Sequence, residues 1–205
     1  MEALRDSMAF KGVSGLRSEV RVRVRREGKG LGTYKGSLAF ESPDLLRLRV
    51  YGALGNAGLE AVHSRGLLQI YFPQERVLYE GKSPASGGGL AYNMRDSGGD
   101  YELLAYESHN GATRLRASYV FDRETLLNKE INFYDSDERY LTISFARYLG
   151  GVPMSMSVDL FGGYSADVEL IDPERVDDLP DELFKPIPRG DAIVMPLELI
   201  VEQVR

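Results

Sequence analysis

The chain has 205 residues, 43% hydrophobic and 27% charged, with a formal net charge of -6 and no cysteine. This length and composition fit one globular domain with a substantial core, so a single domain over residues 1–205 is expected. The missing cysteines exclude disulfides, thiolate metal sites and cysteine nucleophiles, and the acidic balance argues against a nucleic-acid partner.

No apolar run approaches the ~20 residues that span a bilayer. Met1 is followed by Glu2-Ala3-Leu4-Arg5 with no apolar export region. The chain therefore reads either as cytosolic or as a mature segment whose export signal has been removed. Residues 2–12 fit a short helix with Leu4 and Met8 on its apolar side, stopped by Gly12-Val13-Ser14-Gly15. Leu16 to Arg26 is the clearest strand. Val20, Val22 and Val24 alternate with Arg17, Arg21, Arg23 and Arg25, a period of two that no helix satisfies. The turn at Gly28 to Gly30 leads to a partner strand carrying Tyr34, Leu38 and Phe40.

A three-strand meander follows. Leu46, Leu48 and Val50 alternate with Arg47 and Arg49, then a tip at Gly52-Ala53-Leu54-Gly55-Asn56 turns the chain back. It returns through Leu59 to His63, turns at Ser64-Arg65-Gly66, and leaves along Leu68, Ile70 and Phe72. Val77 and Tyr79 come before a break. Residues 81–100, rich in Gly, Ser and Asp, have no usable period and are predicted to be a long loop. Strands resume at Tyr101–Glu107 and Leu115–Phe121. Three more follow, marked by Leu127, Ile131 and Phe133, by Leu141, Ile143 and Phe145, and by Met154, Met156, Val158 and Leu160, before Ala166, Val168 and Leu170 close the series. About eleven short strands separated by turn clusters predict a mainly β, antiparallel sheet, sandwich or barrel. The tail from residue 172 is acidic and proline-rich, and a last extended stretch runs from Ala192 to Val201.

Signatures of catalysis are sparse. His63 and His109 are the two histidines, too few for a histidine-rich metal site, and no metal or other cofactor is expected. Gly81-Lys82-Ser83 matches the end of a phosphate loop, but the glycine that should open the loop is missing and Pro84 follows. Asp135-Ser136-Asp137 opens like a calcium loop, yet Tyr140 and Ala146 occupy the positions that need Gly and Glu. Glu107 with Asp122, and the tail acids Asp172, Glu174, Asp177, Asp178, Asp181 and Glu182, are possible carboxylate pairs that read more simply as solvated surface. The row Arg17, Arg21, Arg23 and Arg25 with Arg47 and Arg49 makes a basic face. It would suit anionic headgroups, or simply keep the outer side of a sheet soluble. The opposite faces are wide and adaptable, with Phe40, Phe72, Phe133, Phe145, Met154 and Met156. A broad apolar face with few helices to cover it must enclose a lipid-sized cavity or meet a second sheet.

The run from Leu46 to Asn56, followed by Leu59-Glu60-Ala61, resembles the strand, Pro-Leu-Gly loop, strand signature of LolB-type outer-membrane lipoprotein receptors and their LolA-like relatives. Gly36-Ser37-Leu38-Ala39-Phe40, Pro153 to Val158, Ala166 to Leu170 and Leu183-Phe184-Lys185-Pro186 are similar to other short motifs of that family. The resemblance implies an incomplete, half-open antiparallel barrel of about eleven strands with a short N-terminal helix, whose concave apolar face receives acyl chains. It also implies that Leu54, at the position of the protruding loop leucine, contacts the membrane; Ala53 stands where the family has proline. Relatives place lid helices mid-chain, where this sequence has residues 81–100.

The function the resemblance implies is non-enzymatic: an envelope lipoprotein at the periplasmic face of the outer membrane, anchored through an acylated cysteine upstream of residue 2, that binds acyl chains or another hydrophobic ligand, with lipoprotein sorting as the expected setting. Its expected ligand lining is Val20, Val22, Val24, Leu38, Phe40, Leu46, Leu48, Val50, Ile70, Phe72, Phe133, Ile143, Phe145, Met154 and Met156. The alternative is a filled-core accessory subunit that meets an envelope partner through the arginine face or the acidic tail.

Overall fold

The structure is a computed structural model that describes residues 12–42, 44–52, 55–83, 90–109, 112–135, 138–160, 163–197 and 199–202. The predicted helix over residues 2–12 and the loop residue Leu54 therefore lie outside the described residues, apart from Gly12, which sits in a turn.

Fourteen strands form one sheet: β1 (Gly15–Arg26), β2 (Lys29–Glu41), β3 (Leu45–Tyr51), β4 (Ala57–Ser64), β5 (Leu67–Phe72), β6 (Val77–Lys82), β7 (Leu90–Ser97), β8 (Asp100–His109), β9 (Ala112–Asp122), β10 (Asn128–Asp135), β11 (Glu138–Leu149), β12 (Val152–Leu160), β13 (Tyr164–Val176) and β14 (Ile193–Pro196). The expected strand rhythm is present, and β6, β7 and β14 bring the total above eleven. The predicted 81–100 loop is thereby corrected. β6 runs on to Lys82 and β7 occupies Leu90–Ser97, paired antiparallel with β8. β7 escapes a pattern reading because it is an edge strand whose side chains are mostly exposed on both faces, so no apolar period marks it.

The order is β14-β6-β5-β4-β3-β2-β1-β13-β12-β11-β10-β9-β8-β7. One meander runs outward from β1 to β6, and a second runs inward from β7 to β13. The two join where β1 pairs β13, with Val20 opposite Leu170 and Val22 opposite Val168. This connectivity forces curvature. β6 and β7 stand twelve places apart, which in a flat sheet would be ~58 Å. The chain between Lys82 and Leu90 spans at most ~28 Å. The sheet must therefore curl until its flanks approach each other, and it does so without closing.

The tail is not a free acidic surface segment. It crosses the outer side of the sheet and bonds to β2, β3, β5 and β6. The Leu179 amide donates to Glu41 on β2 at 3.1 Å, and Arg47 on β3 donates to the Leu183 carbonyl at 2.8 Å. The Ile187 amide donates to Gln69 on β5 at 2.7 Å, and Arg189 reaches Glu80 on β6 at 2.6 Å. Leu179, Phe184 and Ile187 are buried beneath this strap, and Ile187 packs with Val62 and Leu78. Asp177, Asp178, Asp181 and Glu182 point to solvent. The stretch expected to be extended from Ala192 to Val201 divides into β14, parallel to β6, and a helical turn at Leu199–Glu202.

Candidate functional site

Cross-strand register settles which side chains share a face, because neighbours in register point the same way. Phe40, Leu38 and Gly36 face Leu46, Leu48 and Val50; Leu48 faces Ala61, Ala61 faces Ile70, and Ile70 faces Tyr79. On the other side of β1, Val168 faces Met156, Met156 faces Phe145, and Val158 faces Ile143. Ile143 then faces Ile131, Ile131 faces Tyr119, and Tyr119 faces Leu103. All fifteen residues of the expected lining lie on this one apolar face, with Val24, Phe72, Phe133 and Met154 in the same alternation. It is the inner face of the curl, since both larger core clusters sit on it.

Burial divides the fifteen. Val20, Val22, Leu38, Phe40 and Phe133 are buried and serve as ordinary core. Val24, Leu46, Leu48, Val50, Ile70, Phe72, Ile143, Phe145, Met154 and Met156 are only half-buried. The inner face therefore carries two separate cores. One spans β1, β2, β12 and β13, and the other spans β8 to β10. Phe145 and Met156, directly opposite each other, mark the seam between them. The inner face is thus a broad apolar surface on a curled, unclosed sheet, with the residues at its seam only half-buried.

The outer face carries charge, and here the basic-face reading is corrected. Arg21 bonds Glu169 at 2.9 Å, and Arg25 meets Asp167 at 2.5 Å. Arg47 and Arg49 both bond Glu60, which is 9% exposed. Burial, with Arg49 alongside, pushes the Arg47 pKa down from its ordinary value. Arg147 joins this network through a bulge. β12 pairs Ala146 and Tyr148 but skips Arg147, whose φ is 54°. Its guanidinium is thereby aimed at Glu169 and Ser155, at 3.0 and 3.1 Å. An arginine row seen alone looks cationic, but the acids that meet Arg21 and Arg25 stand on β13, Glu169 lying 148 residues from Arg21, and Glu60 on β4 meets Arg47 and Arg49.

His63 lies on the inner face opposite Leu46, and its Nδ1 is 2.5 Å from the Asp44 carbonyl. Among the described residues no group of acids and histidines is placed to hold a metal ion. Two recesses, of about 280 and 480 Å³, lie on the outer face around Arg21, Arg147 and Ser157 and at the strand ends near Tyr34, Tyr51 and Gly55. Neither is centred on the inner face, although Met156 and Val168 border the first.

Pattern reading missed the far wall of the inner face: Tyr92, Leu103, Ala105, Ala117 and Tyr119. The contiguous apolar runs Leu103-Leu104-Ala105 and Tyr119-Val120-Phe121 mask their alternation, and a register shift between Ala105 and Tyr106 breaks it.

The fold is LolA-like. It is similar to a LolA superfamily protein from Nitrosomonas europaea (12% identity, 90% of this chain and 95% of that one covered, TM-score 0.59). It is also similar to an outer membrane lipoprotein-sorting protein domain from Vibrio parahaemolyticus (12% identity, 89% and 93% covered, TM-score 0.61). A DUF1329 family protein from Desulfovibrio piger matches at 16% identity with 90% and 95% covered and a TM-score of 0.59. No family model and no curated protein matches the sequence.

Proposed function

We propose that this LolA-like sheet is a non-enzymatic carrier or receptor of the bacterial cell envelope that holds acyl chains against its inner face. The observation that carries this reading is the half-buried seam around Phe145 and Met156, lying between two well-packed cores. Apolar surface left in contact with water costs about 25 cal/mol per Å², and an acyl chain laid in the trough recovers that burial without any catalytic group. Methionine and phenylalanine suit a ligand whose chain length and unsaturation vary. The similarity to a lipoprotein-sorting domain adds the finer proposal that the cargo is the acylated end of a lipoprotein, handed over at the periplasmic face of the outer membrane. Leu54, at the tip between β3 and β4, is the proposed membrane contact. The alternative docking of a protein partner on the arginine face is less well supported, because most of those arginines are already paired with acids.

The test is native mass spectrometry of the purified protein followed by organic extraction. A co-purified fatty acid or phospholipid near one per chain, or uptake of an added acyl probe, supports the carrier. A clean mass together with failure to take up any acyl probe removes it.

A further inference from the structure

On the far wall of the trough one polar atom has nothing to bond to. Tyr119, on β9, is 1% exposed, and its hydroxyl is buried with no hydrogen-bond partner among the described residues. Register places the side chain on the inner face, between Ile131 on β10 and Leu103 on β8. The buried cluster around it, Leu103, Ala105, Ala117, Phe121, Ile131 and Phe133, carries no side-chain acceptor, and the phenols of Tyr92, Tyr101 and Tyr140 that pack against the cluster leave the Tyr119 hydroxyl unbonded. Phenylalanine would fill the same space without stranding a hydroxyl, so the hydroxyl points to a partner that arrives from outside the fold.

We propose that the Tyr119 hydroxyl is the polar anchor of the trough, donating a hydrogen bond to the carbonyl or carboxyl oxygen of a long-chain acyl ligand. This rests on the acyl-binding reading above and gives that site a direction. The ligand's oxygen lies at the β8–β10 wall, and its chain runs across β11 and β12 over Phe145 and Met156, ~14 Å from β9 to β12. Burial, with the neighbouring Tyr92 phenol adding to it, pushes the Tyr119 pKa far up, so the group stays a donor at any pH the protein meets. Tyr92 sits on β7, the sheet edge, which is hydrogen-bonded on one side only. Displacement of that edge strand, a low-stability element, is the route by which a ligand reaches the hydroxyl.

The full chain and its Tyr119→Phe variant are titrated with palmitate, methyl palmitate and the hydrocarbon fluorophore diphenylhexatriene. The expected result is a loss of about tenfold for the carbonyl ligands, with diphenylhexatriene held within about twofold. The melting temperature should not fall, because the hydroxyl has no protein partner to lose. A loss for palmitate alone identifies a free carboxylate as the ligand group, and a loss for both identifies an acyl carbonyl. Equal losses for all three probes, unchanged binding of the carbonyl ligands, or a melting point lowered by several degrees each overturns the anchor. If the unaltered chain binds none of the probes, the acyl-binding reading itself falls, and the anchor falls with it.

Discussion

Replacing Gln69 should loosen the strap and, with it, one flank of the sheet. Gln69 is 2% exposed and uses both ends of its amide. Its Oε1 accepts the Ile187 amide at 2.7 Å, and its Nε2 donates to Glu80 at 2.6 Å. Gln69→Leu keeps the volume and removes both bonds. The Ile187 amide is then buried without an acceptor, which costs ~1–3 kcal/mol. Glu80 still has Arg189 and keeps some contact with water, so its loss is nearer ~1 kcal/mol. The new leucine beside Val62 and Leu78 recovers ~1 kcal/mol through added apolar contact. The net expectation is ~1–3 kcal/mol, a large share of the ~5–15 kcal/mol typical of a folded domain. Urea denaturation measures it, and hydrogen exchange locates it. The Ile187 amide and the β14 amides should exchange faster while β1 stays protected. A change below ~0.5 kcal/mol with unchanged exchange would refute the idea that Gln69 holds the strap. Gln69→Glu is the matching control. It keeps an acceptor for Ile187 but sets two carboxylates side by side, so one is held protonated to higher pH. That variant should be weak near neutrality and recover as pH falls through the raised value.

Further expectations concern acid, packing and the membrane. The Gln69 hydrogen bond, followed by Arg189, holds the Glu80 pKa below its ordinary 4.5. A depressed folded value stabilises above the unfolded one and is lost as pH falls through it, so urea midpoints should drop on acidification, and less steeply in Glu80→Gln. Gly36→Ala should cost ~1–3 kcal/mol in urea unfolding, because the added Cβ would lie 2.3 Å from the Arg49 carbonyl oxygen and 2.9 Å from Val20; Gly30→Ala, with nothing within 4 Å, should be close to neutral. Leu54→Glu should keep acyl-probe uptake but lose co-sedimentation with vesicles. Equal vesicle binding would remove the loop from the handover.

How much could be read in advance differs by element. β1 to β5 and β10 to β13 announce themselves because one face is apolar and the other polar, as with Val20, Val22 and Val24 against Arg21, Arg23 and Arg25. β7 does not, since an edge strand that is exposed on both faces has nothing to alternate. β14 is four residues long and exists through its parallel pairing with β6, more than a hundred positions earlier. The strap carries no periodic signal at all, because it is held by single bonds to Glu41, Arg47, Gln69 and Glu80. The inner-face residues on β1 to β5 were legible for the same reason as their strands. Tyr119 was not, because its neighbours in sequence are apolar on both faces.

Which side chains travel together is already written in the chain, because the alternation of a strand is local geometry that each residue imposes on the next. So is the absence of cysteine, and with it of thiol chemistry. It takes the folded sheet to bring Arg21 to Glu169, to lay the strap over Val62 and Leu78, and to set β6 and β7, eight residues apart, on opposite flanks. Those outcomes join residues as far apart as Val20 and Leu170. They are fixed by the collective burial of a whole face and by the reach of one short connection, and neither is a property of any single stretch of chain.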